Sequence, residues 1–127
     1  MFCFISSFNG DISSWDVSSV TVMSSMFDLS ESFNQDLSSW DVSSVTDMDE
    51  MFDYAYALSD ENKCLIHSAW NYNSAWEYDW LELCIMGCTD PSACNYDASA
   101  TEDDGSCIYP DENYDCEGNC LVNYDCD

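Results

Sequence analysis

Nine cysteines and 26 aspartates and glutamates are the chemically capable residues of this 127-residue chain, set against one lysine, Lys63, no arginine, and one histidine, His67. Six of the cysteines, Cys88, Cys94, Cys107, Cys116, Cys120 and Cys126, fall in the last 40 residues. In a small, lysine-poor segment this density reads as a disulfide framework made in an oxidising compartment. Zinc is the other chemistry open to them, but no C-x-x-C pair occurs and the histidine lies upstream, so disulfides are preferred. Nine is odd, and Cys3 is the candidate for the cysteine left unpaired within the chain. No G-x-S-x-G, H-E-x-x-H or phosphate loop is present, and acid pairs are too common to single out a dyad. Lys63 and His67, one helical turn apart, read as surface residues rather than a catalytic pair. The chain is therefore read as non-enzymatic.

A formal charge of −25 excludes nucleic acids and anionic membrane surfaces as partners, since both are bound through Lys and Arg. Cations are the natural counterpart. Disorder does not follow, because 46% hydrophobic and 15% aromatic residues can build a core. No apolar run approaches the ~20 residues of a membrane span. The charge is densest late: residues 86–127 carry 11 acids and no base, against 15 acids and Lys63 in residues 1–85.

The elements that must position these residues follow from an internal repeat. Phe8–Ser32 aligns without a gap on Phe33–Ala57, with 16 of 25 positions identical. The matched apolar pairs include Phe8 and Phe33, Trp15 and Trp40, Met23 and Met48, and Phe27 and Phe52. A unit this short cannot cover its own apolar side, so neighbours must stack and share a core. Trp15-Asp-Val17 alternates as a strand does, whereas Val20, Met23, Met26 and Phe27 recur at helical steps. The expected fold is an α/β repeat solenoid, each coil a short strand, a turn and a short helix. Stacking would set Asp11 over Asp36, Asp16 over Asp41 and Asn9 over Asn34, either to bond backbone amides at the turns or to make a row of cation sites. In the same register Met1 and Phe2 fall where Met26-Phe27 falls, so residues 1–7 read as the tail of an earlier coil. The opening MFCFIS lacks the basic flank and the apolar length of a signal peptide. The sequence is thus expected to begin inside a longer array, or to have its preceding coil supplied from elsewhere.

The pattern FNxDxSSWDVSSVTxMxxMF resembles the repeat of bacterial surface proteins and lipoproteins, related to the leucine-rich-repeat-like solenoids of BspA-type proteins. It covers residues 1–57. The resemblance implies an extracellular or surface-attached array used for adhesion or contact, without enzymatic activity.

At Leu58 the repeat fails, and residues 58–85 read as a helical, aromatic cap. Ser59 is placed to cap a helix over Asp60 to Ala69, with Asp60 and Glu61 in its first turn, and a second short helix is expected around 74–83. Cys64 and Cys84 flank the segment, and bridging them would stabilise it by about 3 kcal/mol in the chain-entropy model. Trp70, Tyr72, Trp76, Tyr78 and Trp80 crowd together here. Packing over the last coil is preferred for them, and a stacking platform for sugar rings is the alternative.

Residues 86–127 hold few large aliphatics, and ordering them costs roughly 60 kcal/mol, so crosslinks or metal must help. GCTDPSACNYDASATEDDGSC, residues 87–107, resembles a Cys-rich module found near the C-terminal ends of secreted proteins, especially in marine bacteria, and YDCEGNCL extends it. The resemblance implies calcium, held by carboxylate and carbonyl oxygens in Gly-punctuated loops. Asp90, Asp97, Asp103 and Asp104 are the first candidates, with Asp111, Asp115 and Glu117 second. There is no EF-hand run, and the other reading is that the acids solubilise a disulfide knot. Cys88 with Cys107, which bracket the module, is the first choice of pairing, although sequence does not fix connectivity.

These readings combine into a repeat solenoid over 1–57 (partial coil 1–7, coils 8–32 and 33–57), a cap over 58–85 and a disulfide-rich, strand-poor module over 86–127. The expected function is a secreted or cell-surface structural or adhesive module stabilised by calcium, meeting protein partners or further copies at its N-terminal edge. Carbohydrate binding through the cap aromatics or the solenoid face is the alternative.

Overall fold

The computed structural model describes residues 6–121; the readings placed on Met1, Phe2, Cys3 and Cys126 lie outside them. The chain forms two compact units, Met1–Cys84 and Ile85–Asp127.

In the first unit the two sequence copies are built from tight turns. Trp15 N bonds Ile12 O, Val20 N bonds Val17 O and Met26 N bonds Met23 O; the second copy repeats this at Trp40 to Leu37, Val45 to Val42 and Met51 to Met48. Each turn brings the chain back after three residues, which reproduces the apolar spacing of a helix without a helix. Aspartates set the corners: Asp11, Asp16, Asp36 and Asp41 each accept the amide of the serine two residues on, at 2.8–3.1 Å. This is the Asx turn, in which the side chain stands in for a backbone acceptor.

The expectation of an α/β repeat solenoid is overturned. Among the described residues there is one α-helix, α1 (Asp60–Trp70), one 3-10 turn (Leu81–Leu83), and two two-residue strands, β1 (Met86–Gly87) and β2 (Glu102–Asp103). None lies in the repeats, where only an isolated bridge joins Val22 to Asp47. Trp15-Asp-Val17 is no strand because Asp16 folds back onto Ser18. The Val20–Phe27 stretch is no helix because Ser25 and Leu29 take positive φ, 52° and 57°, as do their equivalents Glu50 and Tyr54 at 54° and 58°. A left-handed residue ends right-handed propagation.

The copies are nevertheless bonded in register. Met23, Ser25, Phe27 and Leu29 donate their amides to the carbonyls of Asp47, Asp49, Met51 and Asp53 at 2.8–2.9 Å. Asn9 Oδ1 accepts Asn34 N at 2.8 Å, and Asn34 Oδ1 in turn accepts Ser59 N at 2.9 Å. Matched rings stack almost in parallel, Phe8 on Phe33 and Phe27 on Phe52, with planes 7° and 6° apart. The second copy is the better buried: Trp40 is 4% exposed but Trp15 is 48%. The cap lies against the second copy, and Trp70 stacks on Trp40 at 6.3 Å.

The cap closes the second copy with side chains in place of a further backbone. Where Ser25 and Phe27 donate to carbonyls of the next copy, Glu50 N donates to Glu77 Oε1 at 2.7 Å and Phe52 N to Tyr78 Oη at 2.9 Å. Asn73 Nδ2 donates to the carbonyls of Val42 and Val45. Ser59 caps α1 by accepting Asn62 N. The Cys64–Cys84 disulfide ties α1 to the 3-10 turn, which is all that forms of the second helix expected around 74–83.

In the second unit β1 and β2 pair in parallel, Met86 with Glu102 and Gly87 with Asp103. A Cβ on Gly87 would meet the Ala100 Cβ at 3.1 Å, so a larger residue there would have to push Ala100 aside by a few tenths of an ångström. Cys88–Cys107 and Cys94–Cys116 crosslink the loops, and Asn95 joins two of them through Ile108 N and Ser106 O. Among its described residues only Cys88 and Ala93 are buried hydrophobics.

Candidate functional site: an aromatic groove beside the cap

Five of the seven acids read as metal ligands, Asp90, Asp97, Asp103, Asp104 and Asp115, accept backbone amides in local turns. Asp90 Oδ1 accepts the amide and hydroxyl of Ser92, and its Oδ2 accepts the Tyr109 hydroxyl at 2.7 Å. Asp97 binds Ser99 in the same way, Asp103 accepts Gly105 N, and Asp104 accepts Ser106 N. Asp115 Oδ1 accepts the amides of Glu117 and Asn119, while Asp111 and Glu117 are exposed. The Tyr109 hydroxyl, then Ser92, holds the Asp90 carboxyl below the usual carboxylate range; Ser99, Ser106 and Asn119 do the same for Asp97, Asp104 and Asp115. Among the described residues no three His, Cys, Asp or Glu side chains converge where a metal ion could sit. Of the cysteines, Cys64, Cys84, Cys88, Cys94, Cys107 and Cys116 form the three disulfides given above, and Cys120 is also disulfide-bonded.

The cap aromatics part company. Trp70 is fully buried, Trp76, Tyr78 and Trp80 are partly buried against the core, and Tyr72 is 63% exposed. Trp76 Nε1 donates to His67 Nδ1 at 3.0 Å, which commits the histidine to the cap interior. Asp53, Tyr54, Tyr56, Lys63, Tyr78 and Trp80 line an open groove of about 440 Å³. Tyr78 accepts Phe52 N and donates to Asp53 Oδ1 at 2.9 Å. Burial raises its hydroxyl pKa well above the ordinary tyrosine value, with Asp53 and Glu77 adding to the shift, so it stays a donor. Lys63 Nζ stands 4.0 Å from Asp60 Oδ1 and 6.0 Å from the Trp80 ring centre.

Sequence reasoning did not single out Asp53, Tyr54 or Tyr56, and treated Lys63 as a surface residue. A signal was present: the first copy ends Leu29-Ser-Glu-Ser, and the second replaces this with Tyr54-Ala-Tyr-Ala.

The fold and its crosslinks define a class: a turn-built repeat pair closed by an aromatic cap, joined to a disulfide-held acidic unit. Residues 1–80 match the family described as Mycoplasma protein of unknown function, DUF285, and the chain belongs to that family. Over 53 residues it is 45% identical to the chloroplastic ribulose bisphosphate carboxylase/oxygenase activase of Spinacia oleracea, covering 42% of this chain and 11% of that protein. Over 23 residues it is 70% identical to the chloroplastic ribulose bisphosphate carboxylase/oxygenase activase 1 of Larrea tridentata, covering 18% and 5%. The chain thus spans a small fraction of these curated relatives, too little to carry an activity across. No solved structure matches. The disulfides and the family fit a surface or secreted protein. Among the described residues no helix is long and apolar enough to cross a membrane.

Proposed function

We propose that this chain is a non-enzymatic structural or adhesive contact module of a surface or extracellular assembly. The observation that supports it most is the outer edge of the first copy. The carbonyls of Asp47, Asp49 and Met51 accept amides from the first copy, whereas their equivalents on Val22, Ser24 and Met26 accept no hydrogen bond from any described residue. Beside them Val20, Val22, Met23 and Met26 line a hollow of about 390 Å³, with Val22 56% exposed. Unpaired carbonyls next to exposed apolar side chains suit a protein partner, or a further copy, that offers main-chain amides. The test is adhesion of beads coated with the full chain to cells or matrix proteins, with self-association followed by sedimentation. A contact role predicts one or the other, weakened about tenfold or more by Val22→Asp. Beads that neither adhere nor associate, or a Val22→Asp chain that behaves as the parent, would refute it.

Within this reading the acidic second unit is stabilised by calcium, with Asp90, Asp97, Asp103 and Asp104 the first ligands to examine. Its support is the charge density of residues 86–127, 11 acids without a base. Calcium at about 1 mM, the range of extracellular modules, should raise the melting midpoint more than sodium chloride of equal ionic strength. Screening alone relieves the repulsion of a −25 chain, so equal shifts in the two salts would remove calcium from the proposal.

A further inference from the structure

The groove between the end of the second copy and the cap has a chemistry that the contact edge does not use, and we propose that it binds a neutral oligosaccharide. Tyr54 and Tyr56 are 56% and 73% exposed, so neither ring is needed to fill the core. They meet edge to face at 6.1 Å and stand where the first copy has Leu29 and Glu31. In the same groove Trp80 and Tyr78 lie 4.7 Å apart, with planes 32° from parallel. Four aromatic rings lining one groove offer an apolar surface with polar tips, to which the C–H face of a pyranose ring is matched. The Asp53 carboxylate, the Lys63 ammonium and the hydroxyls of Tyr54 and Tyr56 supply the acceptors and donors that ring hydroxyls require. At about 440 Å³ the groove is within the range of small-molecule sites, roughly 300–1,000 Å³.

Charge selects among occupants. An anionic ligand approaches a chain of formal charge −25 and meets Asp53 in the groove, with Asp60 4.0 Å from the Lys63 ammonium. A cation seeking the aromatic faces finds Lys63, the chain's one lysine, already 6.0 Å from the centre of the Trp80 ring. A neutral polyol suffers neither repulsion and can use both the carboxylate and the ammonium.

The inference is independent of the contact edge, which lies on the first copy, so either reading can fail without the other. Its test is calorimetric titration of the full chain with neutral hexasaccharides of glucose, mannose and N-acetylglucosamine, alongside a hexagalacturonate and a trimethyllysine peptide. At least one neutral sugar is expected to bind with a Kd of roughly 10 µM to 1 mM, and neither charged probe. Tyr56→Ala and Tyr54→Asn are each expected to weaken that binding about tenfold or more, at an unchanged melting midpoint. Asparagine is chosen at position 54 because it tolerates the left-handed backbone there. Trp15→Ala, which removes an exposed ring from the first copy, should leave the affinity as it was. The proposal is overturned if no neutral sugar binds, if binding survives Tyr54→Asn with Tyr56→Ala, or if a charged probe binds more tightly.

Discussion

Dithiothreitol unfolds the second unit and leaves the first one folded: this is the largest effect expected of any treatment of the molecule. Among its described residues the second unit buries two hydrophobics, Cys88 and Ala93, and both strands are two residues long. Fixing its roughly 40 residues costs on the order of 60 kcal/mol of conformational entropy, far more than so small a core offsets. Cys88–Cys107 and Cys94–Cys116 close loops of sequence separation 19 and 22, each contributing about 3 kcal/mol by restricting the unfolded chain. Losing both exceeds the margin such a unit can hold. The first unit also loses a crosslink, Cys64–Cys84, but it keeps a continuous core from Ile12 to Trp70. All five tryptophans lie in that unit, so tryptophan emission reports on it alone. Under reduction the emission should hold while amide exchange across 85–121 becomes fast. Protection that persists in 85–121 after full reduction would show that its turns suffice without the disulfides.

The repeat period was legible because stacking requires the same side chain at each level. Phe8 lies on Phe33 and Phe27 on Phe52 as the alignment demands. Secondary structure within each copy was not legible, since three-residue turns and helices place apolar residues at the same spacing. What separates them is the sign of φ at Ser25 and Leu29, and neither residue type announces a left-handed backbone. The turn role of Asp11, Asp16, Asp36 and Asp41 was one of the two readings the sequence offered, and the same role recurs in the second unit. Asp11, Asp16, Asp36, Asp41, Asp90, Asp97 and Asp104 are each followed two residues later by serine, and each accepts that serine's amide. The pattern D-x-S spans both units and is a turn-forming pattern before it is anything else. Seven of the 26 acids therefore have a turn-forming role. The groove eluded the sequence because its walls come from two segments, residues 53–56 and 78–80, that only the cap brings together.

Replacing Trp70 with alanine should cost the first unit about 3–5 kcal/mol, the range for removing a large aromatic side chain from a core. The indole is fully buried and touches both levels it joins: Trp40 at 6.3 Å, Phe52 at 6.2 Å, and Trp76 edge-on at 5.4 Å. Against a total stability of roughly 5–15 kcal/mol this is a large share, and at about 4–8 °C per kcal/mol for a unit of this size the midpoint drops steeply. Trp15→Ala, at a half-exposed position, should cost about 1 kcal/mol or less. Trp70→Phe separates area from polarity. The Trp70 indole N–H is buried and meets no acceptor among the described residues, a penalty of about 1–3 kcal/mol for an unpaired donor. Phenylalanine removes that donor and keeps an aromatic ring against Trp40, so its loss should fall well under half that of alanine. Urea titration of the three variants, followed by tryptophan emission, orders them. Equal losses for Trp70→Ala and Trp15→Ala would mean that the cap does not hold the second copy through its aromatic seam, leaving that task to the side chains of Glu77, Tyr78 and Asn73 on the backbone of the second copy.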